Sequence, residues 1–117
     1  MRVAVLANLQ KNAPTWPGMP DDRWDDLDSE ETIEAIFAAL ESHGHQATFL
    51  EGDRTLLDTL PRVNPDICFN ICEGHWGDSR EAQVPAILEM LRVPDTGSGP
   101  LTLALALDKP MTKRVLW

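Results

Sequence analysis

Arg2-Val3-Ala4-Val5-Leu6-Ala7-Asn8 is the stretch that decides the fold. A short, unbroken apolar run from Val3 to Ala7, closed by Asn8, reads as a strand buried on both faces. That is the habit of strands in a parallel sheet covered by helices. Further along, Ile33, Ile36, Phe37 and Leu40 fall at i, i+3, i+4 and i+7, one face of an amphipathic helix. Asp28 with Glu31 resembles a capping box at its start, Ser29 is the competing N-cap, and Gly44 stops it. Ala47 to Glu51 reads as a second strand. Leu56, Leu57 and Leu60 predict a short helix closed by Pro61, and Ile67 to Ile71 a third strand. Val84, Ile87, Leu88 and Leu91 repeat the helical spacing, with Pro85 placing the start near Arg80 to Val84. Leu101, Leu103, Leu105 and Leu107 alternate with period two. Their Leu/Ala composition and the preceding Pro100 favour a buried helix over a strand. A last helix begins around Pro110.

Strands alternating with helices in this order imply an α/β domain with a mainly parallel sheet. Ligands of such sheets sit outside the carboxyl ends of the strands. Those ends are Asn8 with the loop after it, Glu51 to Asp53, and Asn70 to Asp78. The loop from Leu9 to Asp28, broken by Pro14, Pro17, Gly18 and Pro20, is long for a compact domain, which marks it as disordered or functional.

The chain has 117 residues, room for one domain, and a net charge of −9. That charge opposes nonspecific binding to nucleic acid or to an anionic membrane. The longest apolar-looking stretch, Leu101 to Leu107, is far too short to span a bilayer. The chain enters its first strand without a charged lead and apolar segment, so no signal peptide is expected. Two cysteines, Cys68 and Cys72, are too few for a disulfide scaffold, and a reducing, cytoplasmic setting is expected.

Asn70-Ile71-Cys72-Glu73-Gly74-His75-Trp76-Gly77-Asp78 concentrates polar, ionisable and glycine residues after a buried strand. Glycines let backbone approach a ligand, and Glu73 and His75 have the chemistry to hold an ammonium or move a proton. A solvated turn has the same composition. Thr96-Gly97-Ser98-Gly99-Pro100 leads into a helix N-terminus that favours an anion, although a plain turn with an N-cap fits it too. Asp108-Lys109, with Lys113 and Arg114 beyond, forms a basic end suited to phosphate or simply to solvent. The acidic run from Asp21 to Glu31 lacks the glycine turn and regular oxygen spacing of a calcium loop, and no metal is expected. Cys68 and Cys72 do not form a metal-binding knuckle, and His43 and His45 suit a helix cap better than a ligand set. Trp16, Trp24, Trp76 and Trp117 all fall outside the periodic core, as residues do when something else covers them or when loops fold back.

Phe69 to Gly74, Arg80 to Leu91, Val93 to Gly99 and Leu107-Asp108-Lys109 together resemble the N-terminal domain of D-alanine–D-alanine ligases and their ATP-grasp relatives. The resemblance spans nearly the whole chain and is most specific from Phe69 to Leu116. It implies a Rossmann-like, three-layer domain over residues 1–107, with 108–117 beginning the connection to ATP-binding domains that this chain lacks. It further implies an ATP-dependent carboxylate–amine ligase acting through an acyl phosphate, with ATP and magnesium held mostly by later domains. Glu73, Gly74 and His75 would lie in the loop facing an amino-acid-like substrate, Gly97, Ser98 and Gly99 would shape the crevice wall, and Lys109 would contact ATP phosphate. The resemblance also implies a homodimer, and a fragment without activity of its own. The glycine-rich loop with Ser and Glu that follows the first strand in D-alanine ligases is replaced here by Asn8 to Asp28. Asp25 or Asp26 is the candidate substitute for that Glu. The competing reading is a stand-alone Rossmann-like binding or dimerisation module.

Overall fold

The computed structural model describes residues 1–117. Three parallel strands, β1 (Arg2–Ala7), β2 (Gln46–Glu51) and β3 (Ile67–Asn70), form a sheet of order β2-β1-β3. The registers Val5↔Phe49 and Val5↔Phe69 put β1 in the centre. Its alternate side chains feed opposite layers. Ala4 and Leu6 meet Leu56 and Leu60 of α2 (Leu56–Val63) and Val84 and Leu88 of α3 (Gln83–Leu91). Val5 and Ala7 meet Ile33, Ile36, Phe37 and Leu40 of α1 (Glu30–Ser42) on the other side. This is the three-layer, Rossmann-like arrangement expected of a strand apolar on both faces.

Local chemistry sets the boundaries. Ser29, not Asp28, caps α1, its Oγ accepting from the Thr32 amide at 3.4 Å. The helix ends at Ser42, with His43 as its C-cap. α2 does not stop at Pro61. It runs on to Val63 because Asn64 adopts a left-handed conformation, which asparagine tolerates, and donates its amide to the Leu60 carbonyl. β3 ends at Asn70, one residue early, although the Ile71 amide still donates to the Leu6 carbonyl. A 3₁₀ turn at Arg80–Ala82 leads into α3, leaving Pro85 in the first turn, where its missing N–H costs nothing.

The Leu-rich helix α4 (Pro100–Leu107) forms, but it is not buried. It leans on the Arg80–Ala82 turn, on α3 and on α5 (Lys109–Leu116) rather than on the sheet, so no face of it is enclosed. None of its residues is buried, and Leu101 is 83% exposed.

Candidate functional site

The sheet order reverses direction at β1, the kind of point at which such sheets form a crevice outside the strands' carboxyl ends. Asn8 fills the bottom of it. The residue is fully buried, and its Nδ2 donates to the Gly52 carbonyl at 2.9 Å while its Oδ1 accepts the Gly74 amide at 2.8 Å. One side chain therefore ties together the loops that follow all three strands. Two glycines let these loops close. Gly74 has φ +79°, and a Cβ there would lie 2.6 Å from the Arg80 carbonyl oxygen. At Gly52 a Cβ would sit 2.3 Å from the Cys72 Sγ.

The loop from Leu9 to Asp28 is folded. Asp28 donates its amide to the Asn8 carbonyl and Gln10 its amide to the Asp28 carbonyl, both at 3.0 Å, so the loop's two ends pair. Glu51 accepts from the Leu9 amide and from Asn12 Nδ2. Ala13, Trp24 and Leu27 form a small core of their own, and Trp24 Nε1 donates to the Pro14 carbonyl at 2.8 Å. Three of the four tryptophans thus pack back onto this same domain. Trp16, Trp24 and Trp76 meet at centroid distances of 5.5–6.2 Å, whereas Trp117 lies fully exposed. The Arg23 guanidinium stacks 4.0 Å above the Trp24 ring and donates to the His75 carbonyl, pinning the first loop to the third.

Beside this clamp lies a cavity of about 990 Å³. Asp53, Arg54, Leu57, His75, Trp76 and Ile87 are among its lining residues. His75 is buried, its ring edge-on to Trp24 at 5.2 Å, and its Nε2 has no hydrogen-bond partner. Burial holds its pKa below the usual value, with the Asp53 carboxylate opposing that shift and the Arg23 charge adding to it. Glu73 points to different company. Burial, hydrogen bonding to Glu81 and the charges of Glu81, Asp26 and Asp28 push its pKa up to about 7. A carboxyl of that kind holds its proton to near neutrality, where it can accept or release one. The cysteines are chemically quiet, since burial raises the Cys68 thiol to about 12 and the Cys72 thiol further still.

The residues singled out in the sequence fall into three places. Glu73, Gly74 and His75 lie together on the clamp, though only His75 lines the large cavity. Gly97, Ser98 and Gly99 follow Thr96, whose Oγ1 accepts the Asn70 amide, and Gly99 shares a shallow hollow of about 390 Å³ with Glu89. Lys109 opens α5 on the surface. Asp108 does not pair with it, because the Asp108 carboxylate caps α5 by accepting the Met111 amide at 3.0 Å. Lys109 makes no ion pair. No three His, Cys, Asp or Glu side chains are grouped to hold a metal ion. Sequence reasoning passed over Asn8 as a functional part, along with Arg23 and Arg54. The only signal for Asn8 and Arg54 was their position at a strand's carboxyl end.

A parallel sheet covered by helices on both faces, with polar loops gathered at its carboxyl edge around a braced cavity, defines a Rossmann-like domain. Within that class the chain is like the N-terminal domain of a D-alanine–D-alanine ligase. It is 43% identical to the D-alanine–D-alanine ligase of Parvibaculum lavamentivorans over 77 residues, 66% of the chain and 24% of that ligase. With the ligase of Carboxydothermus hydrogenoformans it shares 38% identity over 85 residues, 73% of the chain and 27% of that ligase. An uncharacterized protein of Sinorhizobium fredii, y4sG, is 35% identical over an alignment of 130 positions, covering 99% of the chain and 38% of that protein. The chain thus spans roughly a quarter of the ligases it matches. No family model matches it.

Proposed function

We propose that this chain is the substrate-side domain of an ATP-dependent carboxylate–amine ligase that works through an acyl phosphate. The observation that carries the reading is the brace of Asn8, Gly52 and Gly74, which fixes the Glu73–His75 loop at the carboxyl edge of the sheet in a chain similar in sequence to the ligases. In this reading Glu73, Gly74 and His75 face a small amino-acid-like substrate, while Gly97, Ser98 and Gly99 shape the adjoining wall. Lys109 contacts ATP phosphate, and residues 108–117 begin the connection from the domain of residues 1–107. The magnesium ligands and most nucleotide contacts belong to sequence outside these 117 residues, so the chain by itself turns over no ATP. Two free thiols support a reducing, cytoplasmic setting. No helix is long and apolar enough to cross a membrane. The exposed apolar residues of α4 and α5, Leu101, Val115 and Leu116 among them, support a homodimer, which light scattering at high micromolar concentration tests directly.

The test of the ligase reading is the reading frame beyond Trp117, followed by assay of its full product for amino-acid-dependent ADP release. Lys109→Ala in that product removes a charge-assisted hydrogen bond to phosphate and lowers ATP affinity or rate about tenfold to a hundredfold. Its melting curve stays unchanged. A stop codon directly after Trp117, or ADP release by the 117-residue chain alone, refutes the reading.

A further inference from the structure

Resting on that reading, we infer that the cavity between the loops after β2 and β3 selects an amino acid with a bulky apolar side chain rather than alanine. Size is the first argument. At about 990 Å³ the cavity matches the upper end of small-ligand sites and has ample room for a side chain much larger than methyl. The second is the wall. Leu57 is 60% exposed and Trp76 52% exposed, and with Ile87 they offer apolar surface that no other part of the chain covers. Covering such surface is the main free-energy gain open to a ligand there.

Charge supplies the third argument. Arg54 is the only lysine or arginine on the lining, and it makes no ion pair or side-chain hydrogen bond. Asp53 stands next to it and spends its carboxylate only on Thr55, within its own turn. One cation beside one anion matches a zwitterion, with the ligand carboxylate at Arg54 and its ammonium toward Asp53. A nucleoside triphosphate has several negative charges, and a single arginine in a chain of net charge −9 leaves most of them unmatched.

The experiment is a ¹H–¹⁵N NMR titration of the 117-residue chain with D- and L-phenylalanine, D- and L-leucine, D-alanine and a non-hydrolysable ATP analogue. The expected result is saturable shifts at Leu57, His75 and Ile87, with at least one bulky amino acid binding about tenfold to a hundredfold tighter than D-alanine. Arg54→Ala and Leu57→Glu change exposed side chains and should each weaken that binding about tenfold while the spectrum stays folded. D-Alanine binding as tightly as phenylalanine and leucine overturns the inference. So does binding indifferent to Arg54→Ala, saturation by the ATP analogue alone, or the absence of saturable shifts with every amino acid. Because the titration reads binding without turnover, a selective cavity in the 117-residue chain, with no amino-acid-dependent ADP release by the full product of the longer reading frame, would refute the ligase reading and leave the inference standing.

Discussion

Replacing Asn8 by alanine should cost more than its single-residue footprint implies. The substitution deletes two buried hydrogen bonds and leaves the Gly52 carbonyl and the Gly74 amide facing an apolar methyl. Each orphaned buried group costs about 1–3 kcal/mol, so the pair costs about 2–6 kcal/mol, out of a total stability of about 5–15 kcal/mol for a domain of this size. That corresponds to a melting temperature lower by roughly 10–20 °C. Urea unfolding followed by circular dichroism measures the global effect, and hydrogen exchange at the Gly74 amide reports the local one. Asn8→Asp provides the chemical control. It keeps an acceptor for Gly74 but sets a carboxylate against the Gly52 carbonyl, so it should regain stability at acid pH, where the protonated group can donate again. An Asn8→Ala protein within about 0.5 kcal/mol of wild type, with unchanged Gly74 exchange, would refute the brace, since ordinary surface changes cost no more than that.

Three further outcomes concern neighbouring residues. Glu73 has a folded-state pKa raised from 4.5 to about 7, so between those values the folded protein holds a proton that the unfolded chain has released. Its contribution to stability is therefore present below pH 4.5 and lost as the pH rises through 7, and Glu73→Gln should remove that decline from the unfolding free energy measured against pH. His75 acts in the opposite sense: its lowered pKa makes the fold lose stability as the pH falls below 6.5, and Glu73→Gln should leave that slope intact. At Gly52, alanine should destabilise by about 1–3 kcal/mol through overpacking, because its Cβ would meet the Cys72 Sγ at 2.3 Å. Cys72→Ala in the same chain relieves that contact and should recover part of the loss, and a double-mutant cycle with no coupling would show that the two residues do not meet.

How much of this was legible in the sequence depends on the range of the interactions involved. β1 and α1 were legible because their signals are local: an unbroken apolar run, and four apolar residues at helical spacing. The parallel sheet then pointed to the edge that carries the candidate site, since every strand of such a sheet delivers its carboxyl end to one edge. The working parts at that edge were not legible. Asn8 owes its role to partners 44 and 66 residues away, and a lone asparagine after a strand has no motif. The order of the loop from Leu9 to Asp28 likewise rests on Trp24 finding Pro14, and on Arg23 finding a carbonyl 52 residues ahead.

The misreading of α4 has a different cause. Leucine spacing records how apolar a segment is, but burial requires another surface to lie against it. Pro100–Leu107 is as apolar as any core helix and still has no residue buried, whereas Ala4 and Leu6 are buried because α2 and α3 lie over them. The same difference separates the two kinds of exposed apolar surface on this domain. The leucines of α4 lie on a helix packed against the Arg80–Ala82 turn, α3 and α5, and only a shallow hollow shared with Glu89 adjoins them. Leu57 and Ile87 instead line a cavity together with one arginine and one aspartate, and pairing apolar area with a few fixed charges is how a site selects a small ligand.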